Sequence, residues 1–132
     1  MNPWWQQLVL VMLGGALGAA GRFWLGGALL RQFGSGVPWG TLATNLVGSF
    51  LAGFIVVWLE NRGPAALYWR AFLIVGVMGG LTTFSALMVE TLLFARSQRS
   101  DLLVGYLGGT LLAGFVLVWA GARLATMVRP PY

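Results

Sequence analysis

Three residue types are missing from this chain of 132 residues, which has no cysteine, no histidine and no lysine. Without cysteine and histidine, the chain has no disulfides, no thiolate sites and no imidazole chemistry, whether metal-binding or acid–base. Charge is also scarce, at 8% of residues against about 25% in soluble domains. Three acidic residues offer little for a catalytic constellation, so we expect no enzyme.

Long uncharged stretches separate the few charged residues, and 58% of the chain is hydrophobic. Residues 1–21, 32–59, 71–89 and 102–122 carry no charge, and each stretch is near or above the roughly 18 residues that indicate a membrane span. We predict an all-α membrane protein with one domain over residues 1–132 and four transmembrane helices at about 5–30, 40–60, 69–95 and 102–126. Because residues 1–7 lack the basic segment of a signal peptide, we expect the first helix to be retained.

The net charge of +5 comes from eight arginines, which lie one or two to a span boundary. Such scattered charge does not favour nucleic-acid binding. Four arginines fall on the side of the termini and three on the other: Arg62, Arg70, Arg123 and Arg129 against Arg31, Arg96 and Arg99. This small bias predicts a chain that inserts both ways, so that oppositely oriented copies pair about a two-fold axis in the membrane plane. The alternative is that Arg22 or another feature selects one orientation.

Polar residues inside the predicted spans are the candidate functional groups. Arg22 lies roughly 21 Å into the first span, where it either anchors the helix at an interface or attracts anions to a vestibule. Asn45 shares a face of the second helix with Thr41 and Ser49, and its amide either joins helices or lines a pore as a donor. Tyr106 and Thr110 repeat the four-residue spacing in the fourth helix. Together these side chains would form a narrow polar track.

The third span contains the stretch GGLTTFSALMVE, Gly79 to Glu90. Two glycines weaken the helix and three hydroxyl residues compete for backbone hydrogen bonds, so the span either breaks near its middle or merely kinks. A break would free carbonyl oxygens of the kind that bind Na⁺ in broken helices. Glu90 is the one acid well inside a span, where it either relays protons or caps a neighbouring helix.

Three segments together resemble the Fluc (CrcB) family of fluoride channels: GGALGAAGR in the first helix, GTLATNLVGSF in the second and GGLTTFSALMVE in the third. They occur in the family's order and spacing across almost the whole chain. The resemblance implies an antiparallel dual-topology homodimer in the cell membrane, surrounded by lipid, with two pores that export fluoride passively. It also implies a structural Na⁺ at the dimer centre, bound by the backbone carbonyls of Gly79 and Thr82 from both subunits.

The resemblance also implies which side chains the fluoride pathway uses. Asn45, in the matching segment GTLATNLVGSF, would donate to the anion, followed by the groups Thr83, Phe84, Ser85, Tyr106 and Thr110. The family's TTFSxF motif has a second phenylalanine where this chain has Leu87. Leucine keeps the bulk but has no polarised ring edge, so one aromatic contact with the anion is absent.

Two other functions remain as alternatives. A small four-helix multidrug exporter would need a membrane carboxylate, and Glu90 would have to serve alone. A structural membrane subunit would be packed by its glycine stripes and would conduct no ion alone. Whatever the function, we expect close helix packing at Gly14 and Gly18 in the first helix and at Gly105, Gly109 and Ala113 in the last.

Overall fold

The computed structural model describes residues 3–129, and it is helical in every span. Four helices are long and apolar enough to cross a membrane: Trp4–Phe33, Trp39–Trp58, Ala65–Arg96 and Ser100–Val128. The predicted all-α architecture and the number of spans are therefore confirmed, and the chain is a multi-pass membrane protein. The third span begins earlier than predicted, at Ala65. Residues 1, 2 and 130–132 of the predicted domain lie outside the described residues.

The first, second and fourth spans are single α-helices, α1 (Trp4–Phe33), α2 (Trp39–Trp58) and α6 (Ser100–Val128). The third span is built from several pieces: α3 (Ala65–Trp69), a π-helical segment (Arg70–Met78), α4 (Gly79–Leu81) and α5 (Phe84–Arg96).

Between α4 and α5, two residues have extended backbone angles. Thr82 has φ −87° and ψ 150°, and Thr83 has φ −148° and ψ 118°. We call residues 82–83 the extended segment. It lies inside the stretch whose glycines and hydroxyl residues predicted an irregularity.

The π-helical segment was not predicted from the sequence. A π-helix bonds each N–H to the carbonyl five residues back and is wider than an α-helix. In this structure the π-helical segment packs closely against α1. A β-carbon at Gly14 would overlap the carbonyl oxygen of Phe72, and one at Gly18 would overlap that of Val77. The backbone contact depends on these two glycines, which confirms the packing role expected of their spacing.

The helices α2 and α6 form the second close pair. A β-carbon at Gly53 would overlap the carbonyl oxygen of Val118, and one at Gly121 would overlap that of Phe50. Glycine pairs of this kind let backbones approach in lipid, where dispersion contacts replace the hydrophobic effect. By contrast, a β-carbon built on Gly105 or Gly109 would meet no other helix of the described residues within 4 Å. Within the described residues, α6 therefore makes its close backbone contact at Gly121 and not at the predicted Gly105 and Gly109.

Candidate functional site

The extended segment is held by an amide from the neighbouring helix α2. Asn45 Nδ2 donates to the Thr83 carbonyl oxygen at 3.1 Å, and Asn45 Oδ1 accepts from the Thr83 N–H at 2.7 Å. The side chain thus pairs with both backbone groups of one residue, as a neighbouring β-strand would. Because an amide nitrogen carries two hydrogens, one N–H of Asn45 remains for another acceptor.

This pairing changes the hydrogen bonding of carbonyls earlier in the span. In a continuous α-helix the Thr83 N–H would donate to Gly79, and the Ala86 N–H would donate to Thr82. The first instead goes to Asn45, and the second goes to Thr83 Oγ1 at 3.2 Å, which caps α5. The carbonyls of Gly79 and Thr82 therefore both lose their α-helical donors.

Arg22 of α1 contacts the same interruption from the other side. Its Nε donates to the Gly80 carbonyl oxygen at 3.1 Å. In a continuous helix that carbonyl would accept from Phe84, which here begins α5. Arg22 also lines a cavity of about 740 Å³ together with Arg31, Trp24 and Thr41, so both roles considered for it are compatible with its position.

The carbonyl of Met78, which immediately precedes Gly79, still has hydrogen-bond partners. It accepts from the Thr82 N–H at 2.9 Å and from Thr82 Oγ1 at 2.7 Å. The hydroxyl of Thr82 is thus bound within the third span, and only its carbonyl is released.

A cavity of about 610 Å³ lies beside the extended segment and is open to the surface of the chain. Its lining includes the polar residues Asn45, Ser49, Thr82, Thr83 and Thr110, the backbone of Gly79, and the apolar side chains Phe84, Leu87 and Phe115. Leu87 is buried, with 4% of its surface exposed, whereas Phe84 is 69% exposed. The cavity thus combines hydroxyl and amide groups with an apolar wall.

Thr110 is distinctive among the polar groups of this cavity. Its side chain is 94% buried, since 6% is exposed, and its Oγ1 has no hydrogen-bond partner among the described residues. A buried hydroxyl without a partner costs free energy, and such a group often indicates a ligand or a water. The Thr110 hydroxyl is therefore available to donate a hydrogen bond to a ligand in the cavity.

Glu90 has two partners from two other helices. Thr41 Oγ1 donates to Glu90 Oε1 at 2.6 Å, and the Tyr106 hydroxyl donates to Oε2 at 2.5 Å. The ring of Tyr106 packs edge-on against Phe94, with centroids 5.6 Å apart. Glu90 and Thr41 also line a cavity of about 280 Å³ near the start of α2.

The predicted polar residues thus divide into two groups. Asn45, Thr83 and Thr110 meet at the cavity beside the extended segment, whereas Tyr106 reaches Glu90 instead. Ser85 is exposed and pairs with Thr83, its Oγ lying 3.2 Å from Thr83 Oγ1.

Two further features of the site were not predicted from the sequence. The first is the pairing of Thr41 with Glu90, which unites helices far apart in the chain. The second is Gly48, where a β-carbon would overlap Cγ2 of Thr82. Its position three residues after Asn45, on nearly the same helix face, was the available signal.

The sequence is similar to known proteins over most of its length. A family model described as CrcB-like protein, Camphor Resistance (CrcB), matches residues 9–122. The chain is 58% identical over 125 residues to a protein of Xylella fastidiosa (strain M23), covering 95% of this chain and 94% of the relative. It is 61% identical over 120 residues to one of Xanthomonas euvesicatoria pv. vesicatoria (strain 85-10), covering 91% and 90%.

A more distant relative, from Caulobacter sp. (strain K31), is 40% identical over 123 residues, covering 92% of this chain and 96% of the relative. All three relatives carry the name fluoride-specific ion channel FluC. Family match and identity both extend over nearly the whole length that holds the interrupted span and its partners, and the chain therefore belongs to the CrcB family.

Proposed function

We propose that this protein is a fluoride-selective channel of the cytoplasmic membrane, which lets fluoride leave the cell passively. The observation that carries the proposal is the unpartnered hydroxyl of Thr110 in the cavity that Asn45 also lines. The names of the relatives support the same ion.

Fluoride is small and strongly hydrated, so a pathway must replace its water with donors placed close together. The Thr110 hydroxyl and the second N–H of Asn45 are two such donors, and Phe84 adds a ring whose edge is electropositive. The side chains of Thr83 and Ser85 would supply two further hydroxyl groups beside the extended segment. Leu87 supplies a dry wall where a ring edge would otherwise face the anion, and we expect it to permit conduction.

Arg22 and Glu90 would act at the margins of this pathway. The guanidinium of Arg22 faces a cavity that Arg31 also lines, and the two positive charges would concentrate anions there. Glu90 binds the hydroxyls of Thr41 and Tyr106, so Tyr106 would enter the pathway only by exchanging this partner for the ion. A carboxylate with two partners is poorly suited to bind a drug cation, which disfavours the exporter alternative.

We further propose an antiparallel homodimer. The cavity beside the extended segment is open to the surface of the chain, so a single chain would leave its polar lining against lipid, which is costly. A second copy would close the cavity and give each dimer two pores. The near-equal numbers of arginines on the two sides support opposite orientations of the copies.

A structural Na⁺ at the dimer centre completes the proposal. The residues fit a hard monovalent cation, because the carbonyls of Gly79 and Thr82 have lost their α-helical donors and carbonyl oxygens are suitable ligands. Gly79 and Thr82 both line the open cavity, where a second copy would add the same two carbonyls. When bound, the cation would supply a fixed positive charge that holds the two extended segments together.

The function is tested first by ion efflux. Purified protein in liposomes is expected to release fluoride, followed with a fluoride electrode, and to retain chloride under the same gradient. Release from protein-free vesicles provides the background. Fluoride efflux no faster than that background would refute the proposed function.

The substitution Thr110→Val removes one donor while keeping the shape of the side chain. Because the hydroxyl has no partner among the described residues, we expect thermal stability to be unchanged or higher, but fluoride efflux to be lower by about tenfold, as for the loss of one hydrogen bond to a charged group. Thr126→Val, on the same helix, is the matched control, since Thr126 donates to the Ala122 carbonyl and lies outside the cavity. Equal efflux in the two variants would remove Thr110 from the pathway.

Orientation in the membrane is tested with Ser97→Cys, which introduces the sole cysteine of the chain into the exposed connector between α5 and α6. In intact cells, a membrane-impermeant maleimide is expected to label about half of this cysteine, because half of the copies would face each way. Complete labelling, or none, would show a single orientation and contradict the antiparallel dimer.

The cation site is tested by replacing Na⁺ with N-methylglucamine throughout purification and assay. We expect loss of dimer on size-exclusion chromatography, together with loss of fluoride efflux, and recovery of both when Na⁺ is restored. Dimer and efflux that are indifferent to the cation would exclude Gly79 and Thr82 as its ligands.

A further inference from the structure

We infer that Arg22 is a positioning residue, which acts through its Nε–H on the Gly80 carbonyl to fix where the third span stops being helical. The contact joins α1 to the C-terminal end of α4, with Nε and the oxygen 3.1 Å apart. The N–H that would serve this oxygen in a continuous helix belongs to Phe84, the first residue of α5. Arg22 therefore supplies a donor that the interruption removes.

The approach of α1 to α4 makes this contact possible. A β-carbon at Gly80 would overlap the carbonyl oxygen of Gly15, and one at Gly18 would lie 2.7 Å from the Leu81 nitrogen. The two backbones touch there, so Arg22, one turn beyond Gly18, extends alongside the end of α4. A cation at a helix C-terminus also interacts favourably with the helix dipole.

The Arg22 contact also affects the Asn45–Thr83 pair, at the other end of the interruption. Asn45 holds Thr83 from α2, while Arg22 holds Gly80 from α1, so the residues between them are fixed at both ends. If the Gly80 carbonyl had no donor, this half-buried segment would open more often, and the Thr83 N–H would be held less firmly by Asn45. The release of the Gly79 carbonyl depends on that same bond, whereas the Thr82 carbonyl is released because the Ala86 N–H bonds to Thr83 Oγ1.

The hydrogen bond of Arg22 can be separated from its charge by two substitutions. In Arg22→Gln the side-chain nitrogen occupies the same position along the chain as Nε, so the donor is kept and the charge is lost. In Arg22→Met a methyl group stands at that position, so both donor and charge are lost. Because both variants are neutral, any difference between them reports the hydrogen bond and not the charge.

The measurement is amide hydrogen exchange of the purified protein, read on peptides covering residues 79–87. We expect exchange to be about tenfold faster in Arg22→Met than in the unchanged protein, and within about threefold of it in Arg22→Gln. Arg31→Met is the control, because it removes a second charge from the same cavity and Arg31 lies outside the interruption. We expect it to exchange as the unchanged protein does.

Exchange in Arg22→Met that is equal to or slower than in the protein without substitutions would overturn the inference. Exchange in Arg22→Gln that is tenfold faster than in that protein would overturn it too. The glutamine arm decides by itself if the methionine variant yields no folded protein. Fluoride efflux gives a second readout, in which Arg22→Met should fall below Arg22→Gln; this readout rests on the proposed function. If the protein without substitutions showed no fluoride efflux, the proposed function would be refuted. The exchange measurement would still decide the role of Arg22.

Discussion

The Asn45 amide binds both backbone groups of Thr83, and the arrangement of the third span depends on this pair of hydrogen bonds. Inside a bilayer, a backbone group without a partner is costly, so a span can leave the helical conformation only where protein groups replace the lost bonds. Asn45 from α2 and Arg22 from α1 provide these replacements on two sides of the extended segment. The interruption is therefore a property of three helices together.

Glycine contacts provide the proximity that those bonds require. Gly14 and Gly18 bring α1 against the π-helical segment, and Gly48 makes room for the methyl group of Thr82 beside α2. Side chains at these positions would push the helices apart by more than a hydrogen bond can tolerate. These three glycines thus serve the polar chemistry of the chain indirectly, because they determine how far an amide or a guanidinium has to reach.

Polar groups inside the bundle are of two kinds. Glu90 and its hydroxyl partners from α2 and α6 satisfy each other, as buried groups in a stable protein are expected to do. Thr110 is buried beside an open cavity without a partner among the described residues. The first kind links helices through hydrogen bonds within the chain, whereas the second is free to bind a ligand. The proposed function therefore depends more on Thr110 than on Glu90.

The sequence by itself determined the four spans and the family, because apolar length and ordered motifs are local properties of a chain. It also indicated an irregularity around Gly79 to Ser85, since glycine and hydroxyl residues weaken a helix locally. Only the tertiary structure decided which partners replace the lost backbone bonds. Whether Asn45 binds Thr83, whether Tyr106 meets Glu90 or the cavity, and whether the span widens into a π-helix all depend on distances between helices. Those distances arise from glycine contacts between residues far apart in the sequence, and no local pattern records them.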